Sequence, residues 1–258
     1  MQDLTIALIQ SDLHWESPAA NRAMFEEKIW QVNKPVDVIV LPEMFTTGFT
    51  MNAKALAEPM NLHTFKWMKQ MAEHTQAAIC GSYIVQAAGK YYNRFVWMNA
   101  DGTFFTYDKK HLFRMAGEGD VFDNGNKQLI IEYKGWKISP LVCYDLRFPV
   151  WSRNVNNAYD VLLYVANWPQ ARVHAWNTLL RARAIENNTY VVGVNRVGVD
   201  GKDISYSGYS ACIDFKGEEI VNLYEQDTIA YATLSQQDLQ AHRTKFPSWK
   251  DADPFTFS

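Results

Sequence analysis

Cysteine is scarce in this chain, and charge of one sign is nowhere concentrated. Cys80, Cys143 and Cys212 are the only cysteines in 258 residues, and they form no CxxC pair. This spacing excludes a disulfide framework and a structural zinc site. The net charge is −3 without a block of like charge, which argues against a nucleic-acid partner. Because a working thiol must stay reduced, we expect a cytoplasmic protein.

Long hydrophobic runs are also missing. No apolar stretch in the chain approaches the roughly 18 to 20 residues needed to cross a bilayer, so no membrane partner is expected. The N-terminal MQDLTIALIQSD has no basic segment before a long apolar run, and it predicts a strand rather than a signal peptide. What the chain does have is 48% apolar and 21% charged residues, which is ordinary for a globular protein with a full core.

Apolar strand patterns alternate with helical patterns along the chain. Strands are predicted at 4–9, 37–41, 77–85, 91–98, 103–107, 128–133, 136–142, 161–165, 189–195, 209–214, 219–223 and 228–234. Helices are predicted at about 21–33, 63–74 and 172–187, with another beginning after Ser235 and a long loop at 109–125. No linker or fixed-period repeat interrupts this order, so we predict one α/β domain over residues 1–258.

Residues 137–149, KISPLVCYDLRFP, place Cys143 in a turn. An apolar strand precedes the turn, and a helical pattern is predicted to open at Pro149. Such a corner can expose a small nucleophile and leave backbone N–H groups free to bind an anion. A cysteine after Leu141 and Val142 can equally be a small core residue. Cys143 is therefore a candidate for attack on a carbonyl carbon.

Two charged residues also directly follow predicted strands. Glu43 comes after a buried strand and Pro42, and a half-buried carboxylate there can accept a thiol proton. Lys109 begins KKHLF, and its ammonium can stabilise the negative oxygen of a tetrahedral intermediate. Each residue alone fits an ordinary loop or hairpin end. Since Glu43, Lys109 and Cys143 all lie just past strand ends, we predict that they share one rim.

The segments around these residues resemble the three signature stretches of the nitrilase superfamily of carbon-nitrogen hydrolases, in the family's order. They are LPEMF (41–45), YDKKHLF (107–113) and VCYDLRFP (142–149), and the similarity extends to ANWP (166–169), RARAIEN (181–187) and GYS (208–210). The chain is identified as a member of this superfamily. The resemblance implies a nitrilase-like αββα sandwich, a homodimer, and hydrolysis without a metal or organic cofactor.

The resemblance also assigns roles to the three residues. Glu43 matches the family's general base, Cys143 its nucleophile, and Lys109, two residues before His111, its oxyanion-stabilising lysine. A cysteine-histidine pair with His111 is the less favoured alternative, because the family pattern already explains KKHLF as scaffold.

Supporting residues are expected close by. Family members carry a second glutamate seven residues before a loop glycine, a spacing that Glu118 and Gly125 match; it positions the substrate or supports the lysine. The backbone N–H of Tyr144 is expected to help hold the oxyanion. Asp145 and Arg147 are predicted to form a buried ion pair that shapes the turn.

Within the superfamily, EMFTTGF, YDKKHLFRM and LVCYDLRFPVWSRN most resemble the ω-amidase branch. Those enzymes hydrolyse the terminal amide of α-keto dicarboxylic monoamides such as 2-oxoglutaramate and 2-oxosuccinamate. One departure is Val150, where many relatives have an acidic residue. The expected partner is therefore a small-molecule amide, whose α-carboxylate needs a cation or N–H groups.

The residues expected to bind this substrate are Phe45, Arg114, Trp168, Arg172 and Arg196. Two alternatives stay open. One is another enzyme with the same machinery, such as a nitrilase, carbamoylase or aliphatic amidase. The other is a non-enzymatic scaffold of the same fold, against which the retention of all three catalytic residues argues.

Overall fold

The computed structural model describes residues 2–256 as fifteen strands and six helices joined by short turns. The strands are β1 (Leu4–Gln10), β2 (Val38–Val40), β3 (Glu58–Pro59), β4 (Ala78–Ala87), β5 (Lys90–Met98), β6 (Phe104–Asp108), β7 (Ile131–Tyr133), β8 (Trp136–Val142), β9 (Val161–Val165), β10 (Tyr190–Val194), β11 (Val197–Val199), β12 (Ser205–Ser207), β13 (Ala211–Ile213), β14 (Glu219–Asn222) and β15 (Thr228–Leu234). The helices are α1 (Pro18–Trp30), α2 (Ala53–Leu56), α3 (His63–Thr75), α4 (Glu118–Val121), α5 (Val173–Asn187) and α6 (Gln236–Lys245), and 3₁₀ turns lie at Arg114–Ala116, Cys143–Arg147, Val155–Asn157, Gln170–Arg172 and Ser248–Asp251.

Most strands belong to two sheets. In the first sheet the order is β15-β1-β2-β4-β5-β6, with β3 beside β4, and in the second it is β14-β13-β10-β9-β8-β7. β1, β2 and β4 run parallel, as do β8, β9 and β10. The carboxyl ends of parallel strands meet at one edge of a sheet, which is where α/β proteins place their ligands.

The first sheet lies between a layer of helices and the second sheet. In β1, Leu4, Ile6 and Leu8 join the core shared with the second sheet, whereas Ala7 and Ile9 pack with side chains of α1 and α3. This alternation follows from the two-residue period of a strand. Both faces of β1 are thus buried, as its nearly continuous apolar sequence predicts.

Helix α5 covers the outer face of the second sheet. It approaches β10 so closely that a Cβ at Gly193 would lie 2.7 Å from Leu180 and 2.8 Å from Trp176. The absence of a side chain at Gly193 therefore lets the helix dock. The layers run helix, sheet, sheet, helix, and the predicted αββα sandwich is confirmed. Within residues 2–256, no helix is both long and apolar enough to pass through a membrane.

The main errors of the prediction concern short elements. The helix predicted from Pro149 is wrong, because that segment forms turns and a 3₁₀ turn at Val155–Asn157. Asn156 and Asn157 have φ values of 55° and 51°, a left-handed conformation that an α-helix cannot contain. The hairpin of β11 and β12 was missed, and the loop predicted at 109–125 contains α4.

Candidate active site

Cys143 lies at the junction of β8 and a 3₁₀ turn. Its φ is 46°, a left-handed conformation that is uncommon for a residue with a side chain and clusters at functional corners. The carboxylate of Asp145 holds this corner in place. It accepts hydrogen bonds from the N–H of Val142 at 3.0 Å and from the hydroxyl of Tyr107 at 2.8 Å.

Asp145 does not form the predicted ion pair with Arg147. Its Oδ1 accepts the backbone N–H of His111 at 2.9 Å and lies 2.7 Å from Nδ1 of the same residue. Arg147 instead places its Cζ 4.9 Å from the ring centroid of Trp168. The reason for the error is distance along the chain: His111 reaches Asp145 only after folding. Asp145 thereby connects the turn that holds Cys143 to the segment that carries Lys109 and His111.

Lys109 is the centre of a buried cluster of charges. Its Nζ lies 2.9 Å from Oε1 of Glu43 and 2.9 Å from each carboxylate oxygen of Glu118. All three side chains are at most 1% exposed. One ammonium thus neutralises part of the charge of two carboxylates, at a place where an unpaired charge would be strongly destabilising.

The two carboxylates keep the ammonium charged. Burial by itself lowers the pKa of Lys109, but the negative charges of Glu118 and Glu43 outweigh it, and the pKa lies above its ordinary value. Burial raises the pKa of Glu118, against the opposing effect of Lys109. At neutral pH, Lys109 can therefore attract a negative charge that develops beside it.

Two asparagines that the sequence analysis did not single out hold Glu43. Nδ2 of Asn93 donates to Oε1 of Glu43 at 2.7 Å, and the backbone N–H of Asn167 donates to Oε2 at 2.8 Å. The backbone carbonyl of Asn93 also accepts the N–H of Lys109 at 3.0 Å. Asn167 lies in the ANWP segment. Asn93 lies in β5, on the same inward face as Phe95 and Trp97, which are both fully buried. A buried amide in such a position was the available signal.

The thiol of Cys143 adjoins this charged cluster. Its Sγ lies 3.8 Å from the backbone oxygen of Asn167, and the residue is 8% exposed. Burial raises the pKa of Cys143, the charge of Glu43 raises it further, and Lys109 lowers it. The net pKa lies well above its ordinary value, so the thiol is protonated at neutral pH and needs a base before it can attack.

Gly125 allows the loop that carries Glu118 to pass the lysine. Its N–H donates to the backbone oxygen of Lys109 at 2.9 Å. A Cβ at this position would lie 2.1 Å from the backbone oxygen of Asp108, so only glycine fits. Glu118 is held in the same loop by the backbone N–H of Phe113, which donates to its Oε2 at 2.5 Å.

A cavity of about 310 Å³ opens beside Cys143 and Lys109. Its remaining walls are Phe49, Phe113, Met115, Ala116, Tyr144, Arg147, Asn167, Trp168, Pro169, Arg172, Asp200, Lys202, Ile204 and Tyr206. The last four come from the hairpin of β11 and β12. Among residues 2–256, no cluster of three or more His, Cys, Asp or Glu side chains is arranged to hold a metal ion.

Comparison with known proteins identifies the family. The family model described as "Carbon-nitrogen hydrolase" matches residues 5–244. The chain belongs to this family. It is 47% identical over 256 residues to "Omega-amidase YafV" of Escherichia coli (strain K12), covering 99% of each chain. It is 32% identical over 251 residues to the "2-oxoglutaramate amidase" of Bacillus subtilis (strain 168), covering 96% of each.

A solved structure gives the same result. XC1258 from Xanthomonas campestris, a CN-hydrolase superfamily protein with an arsenic adduct in its active site, superposes with a TM-score of 0.98. The two sequences are 43% identical, and the match covers 100% of both chains. Membership of the superfamily and assignment to the hydrolases of carbon-nitrogen bonds, both predicted from the sequence, are therefore confirmed.

The carbon-nitrogen hydrolase fold brings only part of the predicted substrate-binding set to the cavity. Trp168 and Arg172 line it. Phe45 does not: it is fully buried in the core between the first sheet and its helices, 5.7 Å from Phe25 between ring centroids. Phe49, four residues later, lines the cavity, and its ring centroid lies 5.1 Å from Nζ of Lys109. Proximity to Glu43 along the chain therefore selected the wrong aromatic residue.

Two of the three candidate arginines lie away from the cavity. Arg114 is exposed and lines a different cleft. Arg196 is fully buried, and its Nη2 lies 2.7 Å from Oδ1 of Asp12. Because Arg196 is bound within the fold, behind the hairpin of β11 and β12, it supports that hairpin and has no access to the cavity.

The raised pKa values of the three buried thiols lead to a prediction of how the stability of this hydrolase depends on pH. Burial raises the pKa of Cys80, Cys143 and Cys212, whereas an unfolded thiol titrates near about pH 8.5. A thiol whose pKa is raised by folding contributes its full stabilisation at any pH below the pKa of the unfolded thiol. This contribution is lost as the pH rises above that pKa. We expect the free energy of unfolding to fall above about pH 8.5, by up to ~1.4 kcal/mol per pH unit for each thiol.

Urea unfolding between about pH 7.5 and 9.5 measures this slope. The variant Cys212→Ala has one buried thiol fewer, and its slope should be correspondingly shallower. An identical slope in the two proteins, or no slope at all, would contradict the prediction.

Proposed function

We propose that this chain is an ω-amidase that hydrolyses the terminal amide of α-keto dicarboxylic monoamides, such as 2-oxoglutaramate and 2-oxosuccinamate, to the keto acid and ammonia. The observation that carries the proposal is the convergence of Glu43, Lys109 and Cys143 beside one cavity. It is supported by 47% identity, over nearly the whole chain, to a protein named as an ω-amidase.

In the first half of the proposed reaction, Glu43 accepts the proton of the Cys143 thiol and Sγ attacks the amide carbonyl carbon. The carbonyl π electrons move to oxygen, and the ammonium of Lys109 stabilises the resulting negative charge. The backbone N–H of Tyr144 is the second proposed donor. It lies at the second position of a 3₁₀ turn, where an N–H has no acceptor within the turn.

In the second half, the C–N bond breaks and ammonia leaves with the proton held by Glu43. A thioester between Cys143 and the acyl group remains. Glu43 then takes a proton from water, the hydroxide attacks the thioester, and the thiolate leaves and recovers a proton from Glu43. Every proton transfer in this scheme uses one carboxylate, which Asn93 and Asn167 hold in place.

Glu118 is proposed to keep Lys109 charged and fixed, and the side chains assigned to the reaction need no metal or organic cofactor. The proposal also retains a homodimer, and analytical ultracentrifugation would measure its mass. It further retains a cytoplasmic location, where the thiol stays reduced. A monomer at micromolar concentration would contradict the first of these.

A panel of substrates tests the proposal. Ammonia release is measured with 2-oxoglutaramate, glutamine, an N-carbamoyl amino acid and a simple aliphatic nitrile. We expect kcat/KM for 2-oxoglutaramate to exceed that for glutamine by at least about 10²-fold, since the two differ in polar groups at the α-carbon. Faster release from the nitrile or from the carbamoyl compound would reject the ω-amidase in favour of a nitrilase or a carbamoylase.

A further inference from the structure

Two arginines face the cavity without a carboxylate partner. Arg147 and Arg172 both line it and are half-buried. Six other arginines form ion pairs with Asp or Glu: Arg22, Arg94, Arg181, Arg183, Arg196 and Arg243. Within residues 2–256, the contacts of the Arg147 and Arg172 guanidinium groups are with aromatic rings instead.

Each of these guanidinium groups lies against the face of a ring. Cζ of Arg147 is 4.9 Å from the ring centroid of Trp168, and Cζ of Arg172 is 5.2 Å from that of Phe113. A ring contact supplies no oxygen acceptor, so the N–H groups of the guanidinium stay available to a ligand. Those N–H groups match the two oxygens of a carboxylate. Both guanidinium groups are therefore available to an anion that enters the cavity.

The other charges that line the cavity favour the same ligand. Lys202 adds a further cation to the wall of the cavity, which Lys109 also lines. The carboxylate of Asp200 is buried and already engaged, because it accepts the N–H of Lys202 at 2.8 Å and the hydroxyl of Tyr206 at 2.9 Å. Phe49 and Ile204 make much of the rest of the wall apolar, and a charge-assisted hydrogen bond is stronger in such surroundings.

We propose that Arg147 and Arg172 bind the α-carboxylate of the substrate, while its amide lies at Cys143. This inference rests on the proposed function and adds the residues that select the substrate. It also gives a reason for the expected preference for the keto acid amide over glutamine. Glutamine carries an α-ammonium group beside its carboxylate, and two guanidinium groups and Lys202 repel that charge. A keto oxygen at the same position meets no such repulsion and can accept a hydrogen bond.

Steady-state kinetics of Arg147→Met and Arg172→Met tests the role of each arginine. Two substrates are compared: 2-oxoglutaramate, and the neutral amide pentanamide, which lacks the carboxylate. Each variant should lose about 10- to 100-fold in kcat/KM for 2-oxoglutaramate, mainly through KM. The loss for pentanamide should be at least about tenfold smaller. Arg114→Met is the matched control, because Arg114 is exposed and lies outside the cavity, and it should behave like the wild type.

Binding separates this inference from the proposed function. In Cys143→Ala, which cannot form a thioester, calorimetry with 2-oxoglutarate measures the subsite without turnover. Adding Arg147→Met or Arg172→Met should weaken binding by at least about tenfold, and adding Arg114→Met should not. Equal binding in all variants, or no binding to Cys143→Ala itself, would overturn the subsite. A different result is that the wild type fails to hydrolyse 2-oxoglutaramate while binding to Cys143→Ala still depends on the arginines. That result would retain the subsite and reject the proposed substrate.

Discussion

Cys143→Ala is expected to abolish ammonia release from 2-oxoglutaramate, with a loss in kcat of at least about 10⁴-fold. The reason is that the proposed reaction passes through a bond to Sγ, and no other thiol lines the cavity within the part of the chain that the structure describes. Alanine removes the sulfur but keeps the backbone of the turn. A steady-state ammonia assay measures the loss.

Cys212→Ala is the matched control for this prediction. Cys212 is a buried cysteine as well, but it lies in β13 and packs in the core between the sheets. Its removal should leave kcat within about threefold of the wild type. Mass spectrometry of wild-type protein quenched in acid during turnover should find the acyl group on the peptide that contains Cys143. Substantial activity in Cys143→Ala, or an acyl group on another peptide, would reject the covalent mechanism.

Lys109→Met is expected to remove both activity and much of the stability. Without the ammonium, the carboxylates of Glu43 and Glu118 would share a site from which water is excluded. Breaking a buried ion pair on one side costs about 3–5 kcal/mol in the free energy of unfolding. Loss of the proposed oxyanion contact costs a further factor of about 10² to 10³ in kcat. Urea unfolding and ammonia release measure the two effects separately.

A second substitution distinguishes these two effects of Lys109. In Lys109→Met with Glu118→Gln, a neutral amide replaces one of the two carboxylates. A good part of the lost stability should then return, while kcat stays about 10²- to 10³-fold below the wild type. Lys110→Met is the control on the neighbouring lysine, whose Nζ lies 5.2 Å from the ring centroid of Trp151, and it should stay active. Recovery of activity in the double variant would mean that Lys109 acts only through the fold.

Local sequence predicted many of the regular elements well. Residues 161–165, VLLYV, form β9 with the predicted bounds, because a short apolar run fits a strand that is covered on both faces. Ser235 caps α6 as predicted, accepting the N–H of Asp238. The short elements α4, β11 and β12, of three or four residues each, were missed because their sequences lack a periodic apolar pattern.

The sequence by itself determined the order of the longer strands and helices, and it predicted that Glu43, Lys109 and Cys143 share one rim. All three follow strands, and the motifs around them resemble one family. Only the tertiary structure decided which neighbouring side chains face the cavity. Arg147 and Phe49 face it, whereas Arg196 and Phe45 are buried in the fold. The physical reason is that periodicity along a chain reports which residues are buried within an element. The direction of a side chain beyond a strand end depends on partners such as Asp12, which lies 184 positions from Arg196.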